Sequence, residues 1–131
     1  MRTEDALSGN APSVVRQFFA SMERRDWTAV EALTADHLSV WWPVTLERFE
    51  GRSYVDMNRA YPEGWHITVH EVVGEAGRVA ARVRVDQDDH SFWCFGFYLV
   101  VEGLITAAIE SWVEEGSEPA PDWRAPFRVS R

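Results

Sequence analysis

The chain has 131 residues, 46% of them hydrophobic and 13% aromatic, and a formal net charge of −8. That length holds one domain able to bury roughly two-thirds of its unfolded surface, and the apolar and aromatic content, with seven Trp, excludes a disordered chain. The negative charge repels phosphate backbones and no Lys/Arg cluster interleaved with aromatics offsets it, so no nucleic-acid partner is expected.

In chain order, "MRTEDALSGNAP" at residues 1–12 lacks the apolar core of a signal peptide. No apolar run approaches the ~18 residues needed to span a bilayer. A cytoplasmic protein with no membrane partner is the expectation. From Pro12, Val14, Val15, Phe18, Phe19 and Met22 recur at the three-to-four spacing of an amphipathic helix. "WTAVEALTADH" repeats the pattern behind Asp26, a helix cap. "HLSVWWPV" reads as a strand near a sheet edge, ended by Pro43. A short extended piece, a Gly51 turn and a third helix bearing Tyr54, Val55, Asn58 and Tyr61 follow, stopped at Pro62.

From Trp65 the period changes to two, and the turns "GEAGR", "QDDH" and "VEGL" divide residues 65–115 into a four-strand meander. The tail "SEPAPDWRAPFRVSR" is Pro-rich but carries Trp123 and Phe127, so it reads as an irregular arm packed on the domain. Helices followed by a meander give an α+β fold, a cone-shaped, curved antiparallel sheet wrapped over N-terminal helices. One domain is expected over residues 1–131, with its core at about 12–115 and the arm at 116–131.

The turns fix which residues share a face. If "EAG" and "VEG" are three-residue turns and Asp88-Asp89 a two-residue turn, one face carries Ile67, Val69, Glu71 and Val73, and then Val79, Ala81, Val83 and Val85. Phe92, Cys94, Gly96, Tyr98, Thr106, Ala108, Glu110 and Trp112 complete it. Ala81, Cys94, Gly96 and Ala108 are small, so a cavity is expected above them, with Glu71 and Glu110 looking in. Trp93, Phe95, Phe97, Ile109 and Val113 then fall on the opposite face, an apolar patch that predicts a homodimer interface. If "VEG" is instead a two-residue turn, Glu110 joins Phe95 on that outer face.

The element order and the final hairpin "FYLVVEGLITAAIESW" resemble the nuclear transport factor 2-like superfamily, in particular its SnoaL-like branch, over about residues 12–123. The resemblance implies that Glu110 occupies the place of the acid that works as general acid or base in polyketide cyclases and limonene epoxide hydrolases. It also exposes departures. Where ketosteroid isomerases of the superfamily have a catalytic Asp and an oxyanion-binding Tyr, this chain has Trp42 and Phe18; where the cyclases have a histidine, it has Gly96. Of the two carboxylates and arginine that hold water in the epoxide hydrolases, only Glu110, with Arg82 or Arg84 if the register flips, remains.

A carboxyl group among Trp112, Tyr98 and Phe92 is poorly hydrated, a setting suited to general acid–base work. Glu110 and Glu71 are therefore the candidate catalytic acids. Trp42, Asn58, Tyr61, Cys94, Tyr98 and Trp112 are candidate substrate-binding residues, with Trp41 and Trp42 as flat walls for a hydrophobic ligand and Cys94 otherwise a small core residue. Cys94, the lone cysteine, excludes an intrachain disulfide and thiolate metal clusters. His66 and His70 share a strand face ~13 Å apart, too far to hold one metal together. No phosphate loop is visible, so no cofactor, nucleotide or metal is expected. The expected activity is acid–base catalysis on an apolar or polyketide-like small molecule, by an isomerase, cyclase, dehydratase or hydrolase. The alternative is a ligand-binding or assembly module of the same fold.

Overall fold

Val14, Val15, Phe18, Phe19 and Met22 form the buried stripe of α1 (Ala11–Glu23) in the computed structural model, which describes residues 11–129. Residues 1–10, most of the segment weighed as a leader, and residues 130–131 of the arm lie outside that description. Asp26 caps α2 (Trp27–Ala32) by accepting the Ala29 N–H at 3.1 Å. α2 is shorter than its sequence pattern, because the Leu33 carbonyl already accepts the Ile105 N–H and the chain passes directly into β1 (Thr34–Trp42). β2 (Glu47–Glu50) pairs back onto β1, and α3 (Arg52–Ala60) follows with Tyr54 and Val55 buried.

The expected meander forms as β3 (Trp65–Glu75), β4 (Arg78–Gln87), β5 (His90–Val101) and β6 (Leu104–Glu114). The strands assemble into one curved, unclosed six-stranded sheet in the order β2-β1-β6-β5-β4-β3. The sheet is mixed rather than wholly antiparallel, since β1 runs parallel to β6. α1, α3 and the inner sheet face enclose a single apolar core. Among the described residues, no helix is long and apolar enough to cross a membrane.

Two hairpins decide which side chains face that core. Both close with two-residue loops in place of the expected three-residue ones: Ala76 and Gly77 at φ 51° and 81°, and Glu102 and Gly103 at φ 50° and 78°. Positive φ at both positions is the type I′ turn that matches strand twist. Such a loop alone would leave Glu110 opposite Phe95. Instead Val100 pairs with Ile105 but Leu99 with Ala107, so Thr106 is an extra residue, a β-bulge that turns the rest of β6 over. Glu110 therefore faces inward opposite Gly96.

β3 carries the matching device with the opposite result. Val69 pairs with Val83, but Glu71 pairs with Arg82, so the bulge falls at His70. Val72 replaces Glu71 and Val73 on the inner face. Glu71, expected to look into the cavity, instead lies on the outer face, where Arg82 Nη2 meets it at 2.8 Å.

Beyond β6 the chain is exposed through residue 129, including the 3₁₀ turn Asp122–Phe127. Trp123 and Phe127 are 70% and 81% exposed, so the expected packing of the arm on its own domain does not form.

Candidate functional site

Glu110 has no solvent-accessible surface, and three elements bring donors to its carboxylate. From β1, the Trp42 indole N–H donates to Oε1 at 3.1 Å; from α3, the Tyr54 hydroxyl donates to the same oxygen at 2.7 Å. From β5, the Tyr98 hydroxyl donates to Oε2 at 2.5 Å. The parallel register places Val40 beside Ala108 and Trp41 beside Ile109, so alternation turns Trp42 inward next to Glu110 and Trp41 outward, where Arg48 covers its ring. A buried carboxylate survives only with such partners, since an unpaired charge in a core is far more costly than a hydrogen-bonded one.

Gly96 makes the Tyr98 contact possible. A Cβ at Gly96 would stand 2.5 Å from the Tyr98 hydroxyl and 2.6 Å from its ring, because Tyr98 leans back across the bare backbone. The phenol thus occupies the space that a side chain at Gly96, such as the histidine of the cyclase pattern, would need. Burial, reinforced by the neighbouring Glu110, holds the Tyr54, Tyr98 and Cys94 protons well above their usual pKa ranges. Cys94 Sγ lies 4.0 Å from the Tyr98 oxygen.

A cavity of about 230 Å³ lies beside this network, toward the Trp65 end of the sheet rather than above Ala81, Gly96 and Ala108 as expected. Tyr98, with Phe18 and Phe19 packed against it, fills the space over the small residues. Of the predicted binding residues, Trp42, Asn58, Tyr61 and Trp112 line the cavity, whereas Cys94 and Tyr98 are buried beneath it. Glu110 does not line it and meets it only through Trp42 and Tyr54, which do. Asn58 also serves locally, donating to the Tyr54 carbonyl at 2.9 Å. A wider concavity of about 800 Å³ lies along the outer sheet face, bordered by Trp41, Phe97 and Ile109.

Sequence reasoning missed Tyr54 and Trp65. The signal for Tyr54 was available: it shares the apolar face of α3 with Val55, and a buried phenol needs a hydrogen-bond partner. The arginines stay outside. Arg82 and Arg84 flank Trp93 on the outer face, so the carboxylate–arginine set of the epoxide hydrolases is not assembled. His66 pairs with Glu23, and His70 sits in its bulge against Trp93.

A family profile described as the SnoaL-like domain matches residues 15–108. No functionally curated protein matches the chain. Among solved structures, a candidate ketosteroid isomerase from Kribbella flavida is 28% identical with a TM-score of 0.86, covering 99% of this chain and 93% of that one. An LEH-like epoxide hydrolase of M. tuberculosis is 20% identical at a TM-score of 0.69, over 81% of this chain and 84% of that one. A candidate polyketide cyclase from Xanthomonas campestris is 18% identical at 0.66, over 81% and 92%. The last two establish a shared fold alone.

Proposed function

The chain belongs to the SnoaL-like domain family, and on that premise we propose that it is a cofactor-independent enzyme acting on a small apolar or polyketide-like molecule by proton transfer. The observation that carries the reading is the buried Glu110 carboxylate joined by hydrogen bonds to Trp42 and Tyr54, two walls of the aromatic cavity. Glu110 works through Tyr54. A proton leaving the substrate, or leaving a water whose oxygen attacks it, passes to the phenol oxygen as the phenol's own proton shifts along the 2.7 Å hydrogen bond to Oε1. The reverse transfer protonates a substrate oxygen or carbanion. Because burial keeps the Tyr54 proton tightly held, the two transfers are concerted and no free phenolate forms.

Isomerisation, cyclisation, dehydration and epoxide opening all need such a transfer, and the similar structures named for isomerase, cyclase and hydrolase activities support that range. A second reading, a ligand-binding module, is favoured by one observation: both Glu110 oxygens already have partners. The two separate by experiment. Deuterium exchange alpha to the carbonyl of cyclic ketones and diol formation from cyclic epoxides would be followed by NMR, for the wild type, Glu110→Gln and Tyr54→Phe. Turnover lost in both variants with ligand affinity retained supports the enzyme. Unchanged turnover sinks the relay, and binding without turnover in the wild type favours the module.

A further inference from the structure

Among the described residues, two buried side-chain nitrogens lack a hydrogen-bond partner, Nε1 of Trp65 and Nε1 of Trp112, and both residues line the same cavity. An indole N–H can only donate, and a buried donor without an acceptor has lost its hydration with nothing in return. By contrast, the half-buried Trp42 donates to Glu110 and the half-buried Trp93 to Glu115. The other amide donors of the cavity wall are engaged as well, Asn58 with the Tyr54 carbonyl and Gln87 with the carbonyls of Pro62 and Glu63.

Neither indole is free to turn away. The Arg25 guanidinium carbon sits 3.4 Å above the Trp65 ring while its Nη2 donates to the Trp65 carbonyl at 2.6 Å, and Trp65 is only 5% exposed. Trp112 packs edge-on against Trp42, which Glu110 holds in place. The wall around them is apolar, with Phe19, Met22, Ile67, Val85 and Phe92, and carries no lysine or arginine.

We infer that the cavity binds a neutral, flat, apolar molecule bearing two acceptor oxygens of the carbonyl or ether type, one received by the Trp65 N–H and the other by the Trp112 N–H. The absence of a cationic side chain from the lining argues against a carboxylate or phosphate ligand. β3 and β6 are the two margins of the meander, so the acceptors lie toward opposite ends of the ligand. The volume, below the ~300 Å³ at which drug-sized pockets begin, restricts the ligand to about one ring with short substituents. Trp65 and Trp112 thereby become specificity residues that read oxygen position, while the rest of the wall reads shape.

The inference deepens the proposed function, resting on the aromatic cavity as the ligand site, but its test reads binding without turnover, so failure of the Tyr54–Glu110 relay would leave it standing. The probes are 1,4-diacetylbenzene and its hydrocarbon isostere 1,4-diisopropenylbenzene, titrated into the ¹⁵N-labelled full chain. Trp65→Phe and Trp112→Phe identify the two indole resonances by their loss. The expected result is a downfield shift of both indole proton resonances with the diketone that exceeds any shift the isostere causes. Each variant should weaken the diketone about fivefold more than it weakens the isostere. Were either variant to disturb the fold, the preference of the wild type for diketone over isostere still decides. Failure of the diketone to bind, equal binding of the two probes, or a bound diketone that leaves both indole resonances in place overturns the proposal.

Discussion

Glu110 accepts from Trp42, Tyr54 and Tyr98, and its removal has different consequences depending on what replaces it. Glu110→Ala strands three buried donors at once and is expected to lower unfolding free energy by about 3 kcal/mol or more, measured by urea denaturation. Glu110→Gln keeps the network closed, because the amide oxygen accepts from Trp42 and Tyr54 and the amide nitrogen donates to a rotated Tyr98 hydroxyl. Its cost is expected near ~1 kcal/mol, so it is the variant in which chemistry and folding separate. An equal loss in the two variants would contradict the hydrogen-bond pattern. The position of Glu110 in an apolar strand was legible from the sequence. Its screening from the cavity was not, because the bulk of Tyr98 over Gly96 is a tertiary effect that strand alternation does not contain.

The hairpins show how far a periodic reading carries at the level of elements. Strand count, strand order within the meander and the inward outlook of Glu110 follow from alternation and turn residues, yet Glu110 faces inward through a two-residue loop plus a bulge, not through the expected three-residue loop. The same combination defeats the reading of Glu71, because the bulge at His70 falls before it and nothing in "ITVHEVV" marks that residue as extra. Loop chemistry gives a direct test. Ala76 and Glu102 hold positive φ without the side-chain help that Asn gives there, so Ala76→Asn and Glu102→Asn are each expected to raise stability by about 0.5 kcal/mol in thermal or urea unfolding. A second element-level contact sets acid sensitivity. Glu23 at the end of α1 accepts the Ile67 N–H at 2.7 Å and lies 3.1 Å from His66 Nδ1. Partial burial acts to raise its pKa, but the Ile67 N–H, His66 and Arg25 outweigh it, and the net shift is downward. A depressed carboxyl stabilises the fold above its unfolded pKa and ceases to do so as pH falls through the folded one. The stability difference between wild type and Glu23→Gln, present at pH 7, is therefore expected to close below the ordinary glutamate range, read from denaturation midpoints across pH.

Over the whole molecule, the unexplained surface is the outer sheet face, where Phe97 is 64% exposed among Phe95, Leu99, Ile109 and Val113. We propose that a second copy of the chain covers it, since these exposed apolar side chains are neighbours across β5 and β6, with Phe97 beside Ile109 and Trp93 beside Val113. Light scattering is expected to give the mass of a dimer for the wild type and of a monomer for Phe97→Asp, with cavity binding retained; a monomeric wild type would refute this. The parallel pairing of β1 with β6 has a further consequence, in the order of assembly. Trp42 and Glu110 are 68 residues apart, and β1 gains its inner neighbour only when β6 exists. Helices and the β3–β4–β5 meander draw on near neighbours in the chain, but the ring of donors around the carboxylate is a long-range contact, slow to close for reasons of chain entropy. On a ribosome, then, the site cannot close before β6 emerges, and until it does the aromatic half of the core has no floor.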